Sequence, residues 1–318
     1  FKLIYKVSIN LQIFYVIIIF YYYKYLMVKS FVKNKLRTLS TDRYPGIFRP
    51  SSFPFLTGDS LRNLCDHVFD ETQSFEPLEV KENDIVFLKT DLKEIYFNYY
   101  HQSIKSKYIL VTHNSDISIE KEDLGFLDDK IKHWFAAKLN VLALKKLTAL
   151  PYGLENRRWL KNGLVKNFKS ELSKNINKNE RILCSFNANT NLMERAPLVD
   201  IARNKQEIID IRNFSESKTY IKELSNYSFN LCPEGNNFES HRIWESLIFK
   251  TTPIVINNIV NQNFYNMGIP LIMLDNWNDL SNLDINDLKR INARNLEKNY
   301  EIFVNLNFWK SQIISAKS

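Results

Sequence analysis

From about residue 45 onward, short apolar runs alternate with longer stretches in which apolar residues recur every three or four positions. That pattern predicts strands and helices in turn, the mark of α/β layering. Residues 84–89 (DIVFLK), 107–112 (KYILVT) and 147–150 (LTAL) read as strands. Residues 131–140 (IKHWFAAKLN) fit either a helix or a strand followed by a turn, and 155–171 read as a helix broken near Asn162-Gly163. The stretch 173–180 has almost no apolar content and is the best linker candidate. Beyond it the alternation resumes, with strands at 181–187, 208–211, 227–232, 254–256 and 271–274 and helices at 194–205, 217–224, 240–249 and 284–300. An apolar tail, 302–314, reads as a last helix that must dock elsewhere. The expected organisation is a first α/β domain over 42–175, a second over 176–300 and a C-terminal helix over 301–318.

Composition narrows the classes. A chain of 318 residues that is 45% hydrophobic and 25% charged can bury a core, which excludes disorder as its main state. Cys65, Cys184 and Cys232 are far apart with no C-x-x-C pair, so neither a disulfide framework nor a cysteine zinc site is expected. Scattered thiols also suit a reducing compartment.

The net charge of +8 is unevenly placed: residues 1–41 hold seven cations and no acid, leaving the rest at about +1. A basic face for nucleic acid is therefore not indicated for the body of the chain. The same arm carries 17 consecutive uncharged residues, Val7 to Tyr23, which with 24–28 are long enough to span a bilayer. Three readings compete: a transmembrane anchor over 7–28, an extension translated from AT-rich DNA with Met27 as the start, and a helix lying on the membrane surface. For an anchor, the cations after it would keep the body cytoplasmic.

The segment 228–258 (SFNLCPEGNNFESHRIWESLIFKTTPIVINN) is the most informative. A strand runs into Pro233-Glu-Gly235, a polar loop follows, and a helix begins near Ser240, a good N-cap type. Ligands of open α/β sheets sit beyond strand C-termini, where helix N-termini offer free N–H groups to phosphate. Gly235 lets backbone come close, and His241 and Arg242 add donors in the first turn. Glu245 lies one turn deeper, where a carboxylate can accept from two sugar hydroxyls. Phosphate donors with a carboxylate behind them suit a nucleotide diphosphate-sugar. A solvated face with an Arg242–Glu245 ion pair is the plainer explanation of the same spacing.

The run Pro233-Glu-Gly235 … Ser240-His-Arg-Ile-Trp-Glu245-Ser-Leu … Pro253-Ile-Val resembles the donor-site signature of exostosin-like glycosyltransferases. The close likeness covers about 30 residues, with weaker likeness over the C-terminal half and around Trp134-Phe and Pro151-Tyr-Gly153. Lys250-Thr-Thr252 departs from the Gly-Cys often found there, which predicts a changed turn. The resemblance implies a GT-B-like α/β fold: two Rossmann-like domains facing a cleft, with the last helix crossing back to the first. It implies a hexosyltransferase-type enzyme that moves sugar from a nucleotide diphosphate-sugar to a glycan or lipid-linked acceptor. The donor would be a co-substrate, with no cofactor. Donor contacts would come from Asn187, Arg195, Pro233, Gly235, Glu239, Ser240, His241, Arg242 and Glu245.

An inverting transfer also needs a base near the acceptor hydroxyl. His113 and Asp116, at the end of a strand in the first half, are the candidates. Thr57-Gly-Asp59 is a second loop to consider, whereas Trp134, Trp244 and Trp309 sit in apolar surroundings and read as core. No Asp-x-Asp occurs, and a helix N-terminus with an arginine can meet a leaving diphosphate, so no metal is expected. A non-catalytic nucleotide- or sugar-binding module of the same fold is the alternative.

Overall fold

The computed structural model describes residues 48–317. The basic arm and its candidate anchor over 7–28 lie outside them. Among the described residues no helix is long and apolar enough to cross a membrane. Phe48, Arg49 and Arg158–Leu160 belong to a separate small unit, in which the Arg158 guanidinium lies 5.1 Å from the centre of the Trp159 ring. Pro50–Arg157 and Lys161–Ser318 form the main unit, which holds both sheets.

In chain order the main unit runs α1 (Gly58–Arg62), β1 (His67–Phe69), β2 (Ile85–Lys89), α2 (Lys93–Ile95), β3 (Tyr108–His113), β4 (Ile131–Ala137), β5 (Leu147–Leu150) and α3 (Val165–Leu172). It continues with β6 (Asn179–Cys184), α4 (Leu192–Asn204), β7 (Ile209–Ile211), α5 (Ser217–Ser225), β8 (Tyr227–Leu231), α6 (His241–Ile248) and β9 (Thr252–Ile256). The last elements are α7 (Ile259–Asn266), β10 (Ile272–Leu274), α8 (Ile285–Leu296) and α9 (Leu306–Ser315). The strands form two five-stranded parallel sheets, ordered β1-β2-β3-β4-β5 and β10-β9-β8-β6-β7. The fold is thus the expected GT-B-like α/β arrangement.

The two orders have different consequences. In the first sheet every crossover steps the same way, so right-handed connections cover one face and leave the other open. Side chains alternate accordingly: Val86, Leu88, Leu110 and Trp134 pack into one core, Ile85, Phe87, Ile109 and Val111 into another. The second of these is closed by Leu61 of α1 and by Leu306, Trp309 and Ile313 of α9. The C-terminal helix therefore crosses back to cover a face that the topology leaves bare. Leu306 N–H donates to Pro54 C=O (2.8 Å), and Lys132 Nζ donates to Lys317 C=O (2.7 Å). In the second sheet the order reverses between β6 and β8, and that switch point is where open α/β sheets hold ligands.

The ambiguous stretch 131–140 is β4, buried between β3 and β5. The helix expected over 155–171 forms only at Val165–Leu172. Ahead of it the chain folds back on itself: a Cβ at Gly163 would stand 1.6 Å from Glu155 C=O. The Glu155 carboxylate accepts from Asn162 N–H and Nδ2–H at 2.7 and 3.0 Å. Helix α7 was not foreseen; its buried Asn263 holds the loop after β4, accepting from Ala143 N–H at 2.9 Å and donating to Val141 C=O at 2.8 Å.

Candidate active site

The C-terminal ends of β3, β4 and β5 lie side by side, and each leaves the sheet through a left-handed residue: Asn114 (φ 60°), Lys138 (φ 53°) and Gly153 (φ 69°). Only Gly153 does so without steric penalty. The loop from β8 to α6 meets these ends from the second half. Tyr152 N–H donates to Glu239 Oε1 (2.6 Å), and His241 Nδ1–H donates to Gly153 C=O (2.6 Å). Asn237 Nδ2 donates to Asp116 C=O and to Ser118 Oγ, both at 2.7 Å. Between the halves the Tyr152 ring stacks on His113 (5.0 Å, 5°) and on His241 (4.8 Å, 26°).

The two base candidates differ sharply. His113 is buried, its Nε2–H donates to Pro151 C=O (3.1 Å), and its Nδ1 accepts from Asn114 N–H (2.7 Å). Burial pushes the imidazole down to about 4, so it stays neutral with both nitrogens engaged. With both nitrogens engaged, His113 lines the wall here, which leaves Asp116 as the accessible one of the two base candidates. Asp59 backs the same strand end, accepting from Asn114 Nδ2 (3.1 Å), while Thr57 caps α1.

Asp116 is exposed. Its Oδ1 pairs with Lys138 Nζ (2.6 Å), and its Oδ2 accepts only a long bond from Asn236 Nδ2 (3.3 Å). Burial works to raise its carboxyl but is outweighed by Lys138, so it is held below the usual carboxylate range. Lys138, which the sequence reading passed over, is itself buried and lies 4.1 Å from the centre of the Tyr152 ring. Reading 131–140 as a strand would have put Lys138 at a strand end, but not beside Asp116 and Tyr152, which only long-range packing brings to it.

The predicted donor residues divide into two groups. Arg242 and Glu245 face the switch point. Arg242 Nε–H donates to Ser185 C=O just beyond β6 (2.8 Å), while its two terminal nitrogens have no protein partner among the described residues. Glu245 is 5% exposed and makes no salt bridge. Burial raises its carboxyl to about 7, against the lowering effects of Arg242 and of the neighbouring Tyr220 hydroxyl. Ser240 occupies the N-cap position of α6, yet its hydroxyl caps nothing and is buried without a partner. The leading N–H groups of α6 therefore lack the usual side-chain acceptor.

Other expected donor contacts have structural tasks. Arg195 is 2% exposed and clamps backbone: Nε–H to Glu234 C=O (2.7 Å), Nη1–H to Asn187 C=O (2.8 Å) and Nη2–H to Pro233 C=O (3.5 Å). It ties the two loops of the switch point together instead of presenting donors to a diphosphate. Gly235 leaves room for it, since a Cβ there would lie 3.3 Å from Arg195 Nη2. Asn187, itself exposed, caps the short turn that follows it. His241 cannot donate to phosphate while Nδ1–H serves Gly153, because burial keeps the ring neutral and leaves Nε2 an acceptor. Glu239 is likewise committed to the inner wall: Oε1 takes Tyr152 N–H and Trp244 Nε1–H, and burial raises its carboxyl to about 7. A half-open cavity of about 230 Å³, lined in part by Phe55, Leu172, Ile248 and Val304, includes none of these groups. Among the described residues no three His, Cys, Asp or Glu side chains gather as a metal site requires.

Residues 164–314 match the profile of the RXYLT1 C-terminal domain. The match is to an exostosin-like glycosyltransferase family and covers just under half of the chain. The matched segment contains the whole of the second sheet and every donor residue named above. No curated protein matches the chain significantly. Among solved structures, the pneumococcal O-GlcNAc transferase GtfA in complex with UDP and GlcNAc is 13% identical, with a TM-score of 0.41 over 78% of this chain and 61% of that one. The α,α-trehalose 6-phosphate synthase of Burkholderia multivorans is 9% identical, with a TM-score of 0.44 over 76% and 71%. TarM is 10% identical, with a TM-score of 0.35 over 75% and 52%. The chain thus spans about three fifths of the length of GtfA.

Proposed function

We propose that the protein transfers a sugar from a nucleotide diphosphate-sugar to a glycan or lipid-linked acceptor in the cleft between its two sheets. One observation carries this reading. At the switch point of the second sheet, the Arg242 terminal nitrogens have no protein acceptor among the described residues, the N-terminus of α6 has no side-chain cap, and the buried Glu245 carboxylate has the Tyr220 hydroxyl beside it but no salt bridge. A diphosphate would take the arginine and the helix N–H groups, and the ribose hydroxyls would donate to Glu245. The charge that develops on the departing diphosphate is met by the same cationic end, without a metal. On the acceptor side, Asp116 takes the hydroxyl proton as the acceptor oxygen bonds to the anomeric carbon. The bond from that carbon to the diphosphate breaks, and the diphosphate leaves with the electron pair. The basic arm would hold the enzyme at the cytoplasmic face of an anionic membrane.

The test is thermal stability with UDP-, GDP-, CMP- and ADP-sugars, beside Arg242→Ala and Glu245→Ala. A ligand at about 100 times its Kd adds ~2.7 kcal/mol of stability. The expected result is stabilisation by one nucleotide class, lost in both variants. A folded protein that none of them stabilises would overturn the donor site. Binding without turnover, in the wild type with a panel of acceptors, would leave a nucleotide-sugar-binding module.

A further inference from the structure

Lys138 occupies a place that stability alone does not favour. It leaves β4 at φ 53°, a strained conformation for a residue with a Cβ. Its side chain is 2% exposed, and a buried ammonium needs close compensation. Its ion-pair partner Asp116 is 56% exposed, so water competes for the pair and the compensation is incomplete. Strain, burial and an open partner coincide at the cleft end of the first sheet.

The contacts of Lys138 run in two directions. Its Nζ takes Asp116 Oδ1 at 2.6 Å, which leaves Oδ2 as the less committed oxygen, touched only by Asn236 at 3.3 Å. The same ammonium lies over the Tyr152 ring, which is held between His113 and His241. His241 is the first residue of α6, the helix whose N-terminus faces the donor site. The charged and titratable groups around Lys138 are Asp116 and His113 from the end of β3 and Glu239 and His241 from the facing loop and helix.

We propose that Lys138 is a positioning residue: it fixes Asp116 so that Oδ2 meets the acceptor hydroxyl, and braces the Tyr152 stack that joins this carboxylate to the donor helix. The proposal rests on Asp116 as the base in the transfer proposed above. Lys138 moves no proton itself; the hydroxyl proton goes to Oδ2.

The experiment uses the full chain as wild type, Lys138→Met, Lys138→Arg, Asp116→Asn and the Lys138→Met/Asp116→Asn double variant. Three quantities are read: affinity for UDP, GDP, CDP and ADP, the pH dependence of nucleotide release from the corresponding sugar nucleotides, and the titration of the Asp116 carboxyl by NMR. Lys138→Met should keep nucleotide affinity within about threefold and slow release at least about tenfold. Its acid limb should move to higher pH, and Lys138→Arg, which keeps the charge, should hold that limb in place. Because Lys138 acts through Asp116, the double variant should be no slower than Asp116→Asn by more than about twofold. An unmoved acid limb, or losses that multiply in the double variant, would overturn the role. If no nucleotide binds the wild type, the donor reading fails and the carboxyl titration decides for Lys138. A higher Asp116 midpoint in Lys138→Met supports the pairing, and an unchanged one refutes it.

Discussion

Two buried carboxyls and one buried imidazole give this protein a distinctive pH response at the residue scale. Burial raises both Glu239 and Glu245 to about 7, above an ordinary value of 4.5. In the pH interval between those values the folded protein binds protons that the unfolded chain has released. Their contribution is therefore fully present below about pH 4.5 and is lost as the pH rises through 7. His113 works in the opposite sense: lowered to about 4, it gives stability above its ordinary 6.5 that is lost as the pH falls through 4. Melting temperature measured against pH should show the alkaline-side loss, and Glu245→Gln and Glu239→Gln should each reduce it. An unchanged slope in both variants would mean that neither carboxyl is sealed as described. Arg242→Ala removes a guanidinium whose terminal nitrogens have no protein partner among the described residues. It should lower nucleotide affinity by tenfold or more, since a charge-assisted hydrogen bond contributes about 1.5–3 kcal/mol. Calorimetric titration measures this, and equal affinity in the variant would move the diphosphate elsewhere.

Loops joined by a few strong contacts decide the site at the scale of elements. Arg195 spans from the loop after β6 to the loop after β8, donating to three backbone carbonyls. Arg195→Ala leaves those carbonyls unpaired and should destabilise the fold by about 2–4 kcal/mol, with donor affinity lost through the loop. Denaturant unfolding would show it, and a purely ligand-contacting Arg195 would leave unfolding unchanged. Gly153 is fixed by two constraints at once: φ is 69°, and a Cβ would stand 2.4 Å from Leu56 C=O. Gly153→Ala should disturb the Tyr152 stack and reduce stability by more than 1 kcal/mol. An unaltered melting curve would show that the backbone gives way there. The strand ends of β3 and β4 carry similar strain at Asn114 and Lys138 without glycine's freedom, which concentrates unfavourable conformations where the chemistry is proposed.

For the whole molecule, sequence order in the first sheet makes the C-terminal helix a requirement. Because β1 to β5 step in one direction, one face would be left to water without α1 and α9. Trp309 is fully buried on that face, and its indole N–H donates to Phe303 C=O (2.8 Å). Trp309→Ala should destabilise by about 3–5 kcal/mol, as large aromatic truncations do. Loss of less than 1 kcal/mol in denaturant unfolding would mean that α9 is not a working part of the first half's core. The second sheet reverses between β6 and β8, so the described residues hold one switch point, and it lies within the segment that matches the RXYLT1 C-terminal domain profile.

Much of this was written in local pattern. Apolar runs marked the strands from β2 onward, apart from the choice left open at β4, because a parallel strand buried on both faces must be apolar along its length. The stretch from Pro233 to Glu245 announced a strand, a loop and a helix tip, since those residue types and spacings are local requirements of an anion site. The three-residue β1 and the short α1 escaped notice because so few positions carry no period. What pairs with what was decided only in three dimensions. Arg195 and Arg242 are both arginines beside a polar loop, yet one is consumed by backbone carbonyls and the other is left with its terminal nitrogens free. His113 and Asp116 are three residues apart, yet left-handed Asn114 turns the chain so that one is sealed and the other reaches the cleft. Lys138 gives no signal of its own in the sequence. Its burial, its strain and its partner all come from long-range packing of β3, β4 and the residues after β5 against the facing loop, and sequence spacing carries no information about such contacts.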